Sequence, residues 1–515
     1  MLTSLIVVAT ILSNPNASAD SAPPMAPGPS SSVAVAASNA FGVDLFKAMA
    51  KDSPDGNLFL SPFSISMALT MTAEGARDET ATQMATVLHF PASAKAGDRP
   101  VTAVHESFAS LSRQLAAAQG DTDAKTTAKI AELRAALDAA NDRTRELESR
   151  GDGWQEAHRS LQEAQRLASE LNALLATVDR FDLRIANALW VAKAYPLADE
   201  FEATVDRFYG SGAANELDIA GDTEGARKRI NGWVEDRTEH RIKDLIPKGV
   251  LDSQTRLVLT NAIYFRGAWT VPFSESSTRD EKFTRADGGS VNVRMMNDSW
   301  RGGGSYAAFT GAGEFFETPT EVPADESSRP PTYPDDAGFQ VLQLPYKGGD
   351  LAMVLLLPRS AQGMSALEKQ LSAASLDAWM SKLASRVVDT GIPRFKLEQE
   401  AELSKVLARL GMPRAFVNPL EGNGAQFPGM TSTTDLAEQL FIGAVLHKAW
   451  VEVAEKGTEA AAATAVLMAP AGAVPQPQKM IPFIPQFRAD RPFLFLIRDT
   501  KSGAILFMGR VTNPS

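Results

Sequence analysis

Residues 455–466 read Glu455-Lys456-Gly457-Thr458-Glu459-Ala460-Ala461-Ala462-Ala463-Thr464-Ala465-Val466. By propensity alone this is a short Ala-rich helix, or a flexible linker running into the stretch with Pro475, Pro477 and Pro482. Its surroundings are neither. After it, Pro492–Arg498 and Ala504–Val511 read as two strands joined by a turn containing Gly503. Before it, Arg256–Trp269 is a long β-type run, and Gln340–Tyr346 pairs with Leu351–Pro358 across Lys347-Gly348-Gly349-Asp350. The start of the chain is helical instead. Phe41, Val43, Leu45, Phe46 and Met49 mark an amphipathic helix over 38–50. Ser61-Pro62 then opens another helix, Phe63 to Ala76, and a third runs from about Thr80 to Leu88.

Composition narrows the function. The 515 residues are 44% hydrophobic, ample for a large core, and the net charge of −11 argues against a nucleic-acid partner. With no cysteine, disulfides, thiol catalysis and Cys-ligated zinc are excluded. The five histidines (His89, His105, His158, His240 and His447) are not at metal-ligand spacing, so no metal and no cofactor is expected. There is no G-x-S-x-G elbow, H-E-x-x-H or phosphate-binding loop, and an enzyme is not expected.

Leu5 to Leu12 is a short apolar run followed by Ala17-Ser18-Ala19, a small-residue cleavage site, although no Lys or Arg precedes it. Residues 1–19 therefore read as a signal peptide and the mature chain as secreted and extracellular, or periplasmic in a bacterium, with no membrane partner. Residues 20–37 read as a flexible linker, and 38–515 as one domain with two insertions. The first, about 116–178, is Ala-, Glu- and Arg-rich. Ile130, Leu133, Leu137, Ala140 and Leu147 form one apolar stripe and Trp154, Leu161, Ala164, Leu171 and Leu174 another, with Gly151-Asp152-Gly153 between them. That pattern predicts an antiparallel helical hairpin packed on itself. The second, about 300–335, is Gly- and Pro-rich, holds Phe315-Phe316, and reads as a surface loop.

Seven short motifs, in order, resemble one family. They are Asn57 with Ser61-Pro62 and Ser64-Ile65; Asn261-Ala262-Ile263-Tyr264-Phe265-Arg266-Gly267-Ala268-Trp269; Pro393-Arg394-Phe395; Leu410-Gly411-Met412; His447-Lys448-Ala449; Arg491-Pro492-Phe493-Leu494-Phe495; and Phe507-Met508-Gly509. Together with Glu-x-Gly-Thr-Glu-Ala-Ala-Ala-Ala-Thr at 455–464, they are similar to the serpins, over about residues 38–115 and 180–515. The resemblance implies an α+β serpin fold of three β-sheets and about nine helices with an exposed reactive loop, here about 455–490. It also implies a monomeric, irreversible inhibitor of a serine-type endopeptidase. The protease cleaves the loop, is trapped as a covalent acyl-enzyme, and is carried along as the loop enters a sheet, a process serpins exemplify.

Under that reading Glu455, Gly457, Thr458, Glu459, Ala460, Ala461, Ala462, Ala463 and Thr464 form the hinge. Gly457 permits the backbone reversal. The inserting face is Thr458, Ala460, Ala462, Thr464 and Val466, small or β-branched residues that enter a packed sheet without overlap. Thr458 is expected near the surface before cleavage. Ser61, Ser64, Asn261 and His447 correspond to a polar gate beneath the sheet. Trp269, Arg394 and Glu455 belong at its upper opening, the last two as a surface ion pair. Counting from Gly457 puts the scissile bond at Ala471–Gly472. Counting back from Pro492 gives Ile481, with Lys479 and Met480 as neighbouring alternatives. Within the fold the alternative is a non-inhibitory carrier or chaperone, or a scaffold acting through the hairpin. Such members are expected to place bulky, charged or proline residues on the inserting face, and none occurs here.

Overall fold

The chain is built around one large sheet, and the sequence of its central strands says why. The computed structural model describes residues 31–92, 102–119, 154–177, 181–301, 304–323, 337–433, 435–458 and 480–515, with parts of 126–147. Phe181–Ala192 (β1), Ala214–Leu217 (β2), Leu257–Ala268 (β3), Phe395–Glu402 (β4), Ile442–Ala454 (β5) and Gly457–Thr458 (β6) form this sheet in the order β4-β5-β6-β3-β1-β2. β3 is buried along nearly its whole length. Continuous apolar runs of this kind suit a sheet covered on both faces.

On one face lies Pro62–Ala73 (α2), whose twelve residues are all buried. It packs against β1, β3 and the C-terminal strand Ile505–Val511. Pro62 sits at its first turn, where the missing N–H is harmless. On the other face Ala226, Ile230 and Val234 of the helix Thr223–Arg237 join Ala186, Ala188, Trp190, Val258 and Ala262 in a second core.

An eight-stranded sheet holds the predicted hairpin, now Phe339–Pro345 against Leu351–Pro358, followed by Phe493–Asp499 and Ile505–Val511. Its turn needs glycine, since Gly348 and Gly349 take φ of 87° and 74°. A four-stranded sheet combines Arg279–Thr284, Ser290–Arg301, Val388–Pro393 and Gln486–Arg488. With the large sheet these are the three expected, and a two-stranded ribbon of Glu321–Pro323 and Met480–Pro482 is added.

Three boundaries are corrected. The linker ends before residue 37, because the first helix, Ser32–Asp52 (α1), starts six residues ahead of the predicted one. Ala34 and Ala37 are buried in it, and the Ala34 N–H donates to Ser107 Oγ at 2.9 Å, satisfying a helix-start donor. The second insertion is narrower than 300–335. Ser290–Arg301 continues into it, and Ser305–Phe309 is a strand of the eight-stranded sheet. The segment expected as a loop over 455–490 is narrower than that, because 457–458, 480–482 and 486–488 are all paired strands.

The helical insertion follows Thr102–Ala118 (α3) and returns through Trp154–Thr177 (α4) to β1. Leu133, Leu167 and Leu171 bury against one another, with Leu137, Ala140 and Leu174 alongside, in a cluster separate from both larger cores. Leu161 is 41% exposed, so the stripe on α4 runs through Leu167 instead. Deleting residues 121–176 is accordingly expected to give soluble protein with a thermal midpoint within about 3 °C of the parent. Loss of soluble protein would show that the hairpin supports the main core.

Candidate functional site at the opening of the large sheet

β3 and β5 run parallel and pair directly from Leu257 with Ile442 up to Tyr264 with Trp450. Above that point they part. β5 continues to Ala454, reverses at Glu455-Lys456, and returns between them as β6. Val453 pairs with Thr458 and Ala454 with Gly457 on one side; Gly267 pairs with Thr458 and Ala268 with Gly457 on the other. β6 is antiparallel to both neighbours. Each further residue fed into this opening would therefore exchange a parallel joint for two antiparallel ones, the somewhat stronger pairing.

Gly457 has φ 152°, and a Cβ there would lie 2.1 Å from the Gly267 carbonyl oxygen, so the close approach admits only glycine. Thr458 corrects the expectation of a surface position. It is 0% exposed, and its hydroxyl lies 2.6 Å from the Tyr346 hydroxyl. Burial pushes the Tyr346 phenol well above its ordinary range, so it stays neutral. The Tyr346 ring stacks on Trp269 at 4.6 Å, while Trp269 Nε1 donates to Ala454 O at 3.0 Å. The hinge is thus already seated by two residues, because a small β-branched side chain fits under this aromatic lid.

The Glu455 side chain is also buried, so its pairing with Arg394 is not the surface pair expected. Arg394 Nε donates at 2.7 Å and Thr278 Oγ1 at 2.5 Å to the same carboxylate oxygen. Burial alone would raise the carboxyl's pKa, but these donors outweigh it and hold the group below the usual carboxylate range.

Six residues further down the sheet, counted from Gly267 to Asn261 and from Val453 to His447, the residues expected as a polar gate are brought together by register. Asn187 of β1 faces Asn261 of β3, which faces His447 of β5. Asn261 Nδ2 donates to Asn187 Oδ1 at 2.6 Å and to Ser64 Oγ of α2 at 2.7 Å. Ser64 Oγ donates on to Asn187 Oδ1 at 3.0 Å. His447 Nδ1 lies 2.6 Å from Asn261 Oδ1, which makes Nδ1 the protonated nitrogen. Its Nε2 has no hydrogen-bond partner among the described residues, and burial pushes the imidazole pKa down to about 3. Ser61 is one step removed. It caps α2 through the Ser64 N–H and donates to Leu506 O at 2.6 Å. Asn187 is the member that sequence reasoning missed. Its signal was available: a lone Asn in the apolar run Ile185–Trp190, as Asn261 is in β3.

The remaining hinge residues Glu459, Ala460, Ala461, Ala462, Ala463 and Thr464, and Ala471, Gly472 and Lys479, lie outside the described residues. Met480 and Ile481 do not stand free as loop residues, since they pair with Pro323 and Val322. Among the described residues no group of three or more His, Asp or Glu side chains could hold a metal ion.

A large sheet with a loop strand entering between two parallel partners defines a serpin-type architecture, and comparison with known proteins agrees. The sequence model described as "Serpin (serine protease inhibitor)" matches residues 36–136 and 130–514. The chain is 33% identical over 485 residues to leukocyte elastase inhibitor of Sus scrofa, covering 93% of this chain and 99% of that one. It is 34% identical over 481 residues to serpin B3 of Homo sapiens, covering 93% and 98%. The chain belongs to the serpin family. Among solved structures it resembles uncleaved ovalbumin (TM-score 0.64, 24% identity, covering 93% of this chain and 100% of that one). It also resembles maspin (TM-score 0.65, 23% identity, 94% and 99%), and both likenesses concern the fold alone.

The expectation of export is overturned here. Leukocyte elastase inhibitor and serpins B3 and B4 are intracellular serpins lacking signal peptides, which points away from secretion. Residues 1–19 themselves lie outside the described residues.

Proposed function

We propose that this serpin is an irreversible suicide-substrate inhibitor of a serine-type endopeptidase. The observation that carries the reading is β6, seated antiparallel between parallel β3 and β5 with its register already set. Continued in that register, Ala460 comes opposite Val451 and Phe265, and Ala462 opposite Ala449 and Ile263. Thr464 comes opposite His447 and Asn261, and Val466 opposite Val445 and Leu259. All eight facing residues are at most 1% exposed, so only small side chains can slide past them. Glu459 falls on the opposite face beside Arg266, an exposed cation.

Thr464 reaching the gate separates His447 from Asn261, and a Thr hydroxyl can replace the hydrogen bonds it breaks. The gate is in this reading a releasable clasp. The same register supports Ala471 as the last residue before the scissile bond. Residues 458–469 fill the opening down to Ile442, the first residue of β5. Protease joined to Ala471 is then drawn against the lower edge of the sheet.

Chemically, the protease serine attacks the Ala471 carbonyl, the Gly472 amine leaves, and the ester at Ala471 remains while the strand inserts. Trapping requires insertion to outrun hydrolysis of that ester. A residue such as Ala471 suits a small apolar primary pocket, elastase- or subtilisin-like.

The test is incubation with elastase-, subtilisin- and trypsin-like proteases, followed by denaturing electrophoresis and mass spectrometry. A complex that survives boiling in detergent, ending at Ala471, is expected with at least one small-pocket protease. Cleaved chain without complex for every protease would make this member a substrate, or a carrier of the kind represented by thyroxine-binding globulin complexed with thyroxine.

A further inference from the structure

Two segments far apart in the chain, residues 480–483 after the hinge and residues 318–323 within the insertion expected over 300–335, meet. Met480–Pro482 pairs antiparallel with Glu321–Pro323, and the Phe483 N–H then donates to Thr320 O at 2.9 Å. Arg386 fastens this ribbon from below. Its guanidinium donates to Thr318 Oγ1 at 2.6 Å and to Pro319 O, and lies 5.8 Å from the centre of the Phe483 ring. Phe483 is 8% exposed. Arg386 is itself fixed, because its N–H donates to Gly304 O at 3.1 Å and it directly follows Ala384–Ser385, a strand of the eight-stranded sheet. One side chain thus touches both arms of the ribbon, at residues flanking its two strands, and ties them to the body of the molecule.

A protease takes its substrate as an extended strand whose backbone pairs along the enzyme's cleft. A segment already paired to a neighbour must open first, and its cleavage is slowed by the rarity of the open form. Cleavage after Lys479 requires residues 480–482 in the cleft on the leaving side, and those are the paired ones. Cleavage after Ala471 does not.

We infer that Arg386 and the strand Glu321–Pro323 are a specificity device that withdraws residues 480–483 from the bait, so that Ala471–Gly472 is offered and Lys479–Met480 withheld. This rests on the reading of the loop as protease bait. Lys479 would otherwise present a basic residue to trypsin-like enzymes, and the ribbon removes that second specificity.

The test compares hydrolysis of the Lys479–Met480 bond by trypsin, followed by mass spectrometry, in four samples. They are the full chain, Arg386→Ala, a deletion of residues 319–333, and a synthetic peptide of residues 474–486. The peptide should be cut readily and the full chain at least about tenfold more slowly than either variant. Elastase cleavage at Ala471–Gly472 should stay within about twofold across the protein samples. Thermal unfolding verifies that each variant is folded; should the deletion fail to fold, Arg386→Ala carries the comparison. If trypsin cuts the full chain at Lys479–Met480 as fast as the variants, the inference is overturned. Absence of a detergent-stable complex with elastase would instead sink the inhibitory reading, and leaves this bond-by-bond comparison intact.

Discussion

Thr458→Arg is expected to convert the inhibitor into a substrate and to loosen the intact sheet at the same time. Thr458 is 0% exposed, beneath Tyr346 and Trp269. A guanidinium at that place would have to shed its water without a counter-charge supplied by the two aromatic neighbours, a cost of several kcal/mol. Two residues of strand pairing return less than that, so the hinge should leave the sheet. Insertion must then start with burial of a charge and slows, while acylation by the protease is untouched. The number of inhibitor molecules consumed per protease inactivated should rise about tenfold or more, since each 1.4 kcal/mol added to the insertion barrier slows it tenfold. The intact midpoint should fall by a few degrees. Thr458→Val keeps the shape but leaves the buried Tyr346 hydroxyl without its partner, a cost of about 1–3 kcal/mol, and should inhibit far better than Thr458→Arg. A wild-type stoichiometry for Thr458→Arg would mean that the assigned register is wrong.

Acid should weaken the gate through one residue. Burial holds the His447 pKa down at about 3, whereas an unfolded histidine titrates near 6.5. Between those values the unfolded chain binds a proton that the folded chain refuses. Stability therefore falls as pH drops below about 6.5, by roughly 1.4 kcal/mol per unit, or about 3 kcal/mol by pH 4.5. The partners of His447 in the gate, Asn261, Asn187 and Ser64, do not titrate in this range. His447→Gln can still donate to Asn261 Oδ1 and has no such titration. The stability difference between parent and variant, from denaturant unfolding at each pH, should shift toward the variant with that slope below pH 6.5. A difference independent of pH between 7 and 4.5 would contradict the assignment.

Much of this architecture is legible in the sequence because its elements are periodic. The hairpin around Gly348-Gly349 and the closing strand pair were placed to within one residue or so, since buried alternation and a glycine turn leave little choice. Of the inserting face expected at the hinge, only Thr458 lies among the described residues. What the sequence hides is whether Thr458 is already seated in the sheet. The pattern of 458–466 is identical whether Thr458 is exposed or seated, and only the geometry around Tyr346 decides. Asn187 was hidden differently. Its role depends on register across β1, β3 and β5, which no local window contains. The ribbon of 321–323 and 480–482 has no local signature at all, being two short strands that each carry a proline, a residue that argues against strands. Leu161 alone departs from its stripe: Ala164, Leu171 and Leu174 do lie on the buried face, Leu167 joins them, and at the first of these turns Ser160 is the buried residue, its hydroxyl donating to Ala140 O.

The central claim is that a cut loop becomes a strand between β3 and β5. Thermal unfolding of the chain before and after cleavage in its loop by a protease that is not trapped tests this most directly. If the loop inserts, the parallel joint between Leu257–Tyr264 and Ile442–Trp450 is replaced by two antiparallel ones, and the nicked protein unfolds at a markedly higher temperature than the intact one. Thr458→Arg, nicked in the same way, should show a much smaller gain. A nicked parent that unfolds at or below the intact midpoint would mean that the loop stays outside the sheet, and the account of trapping would fall with it.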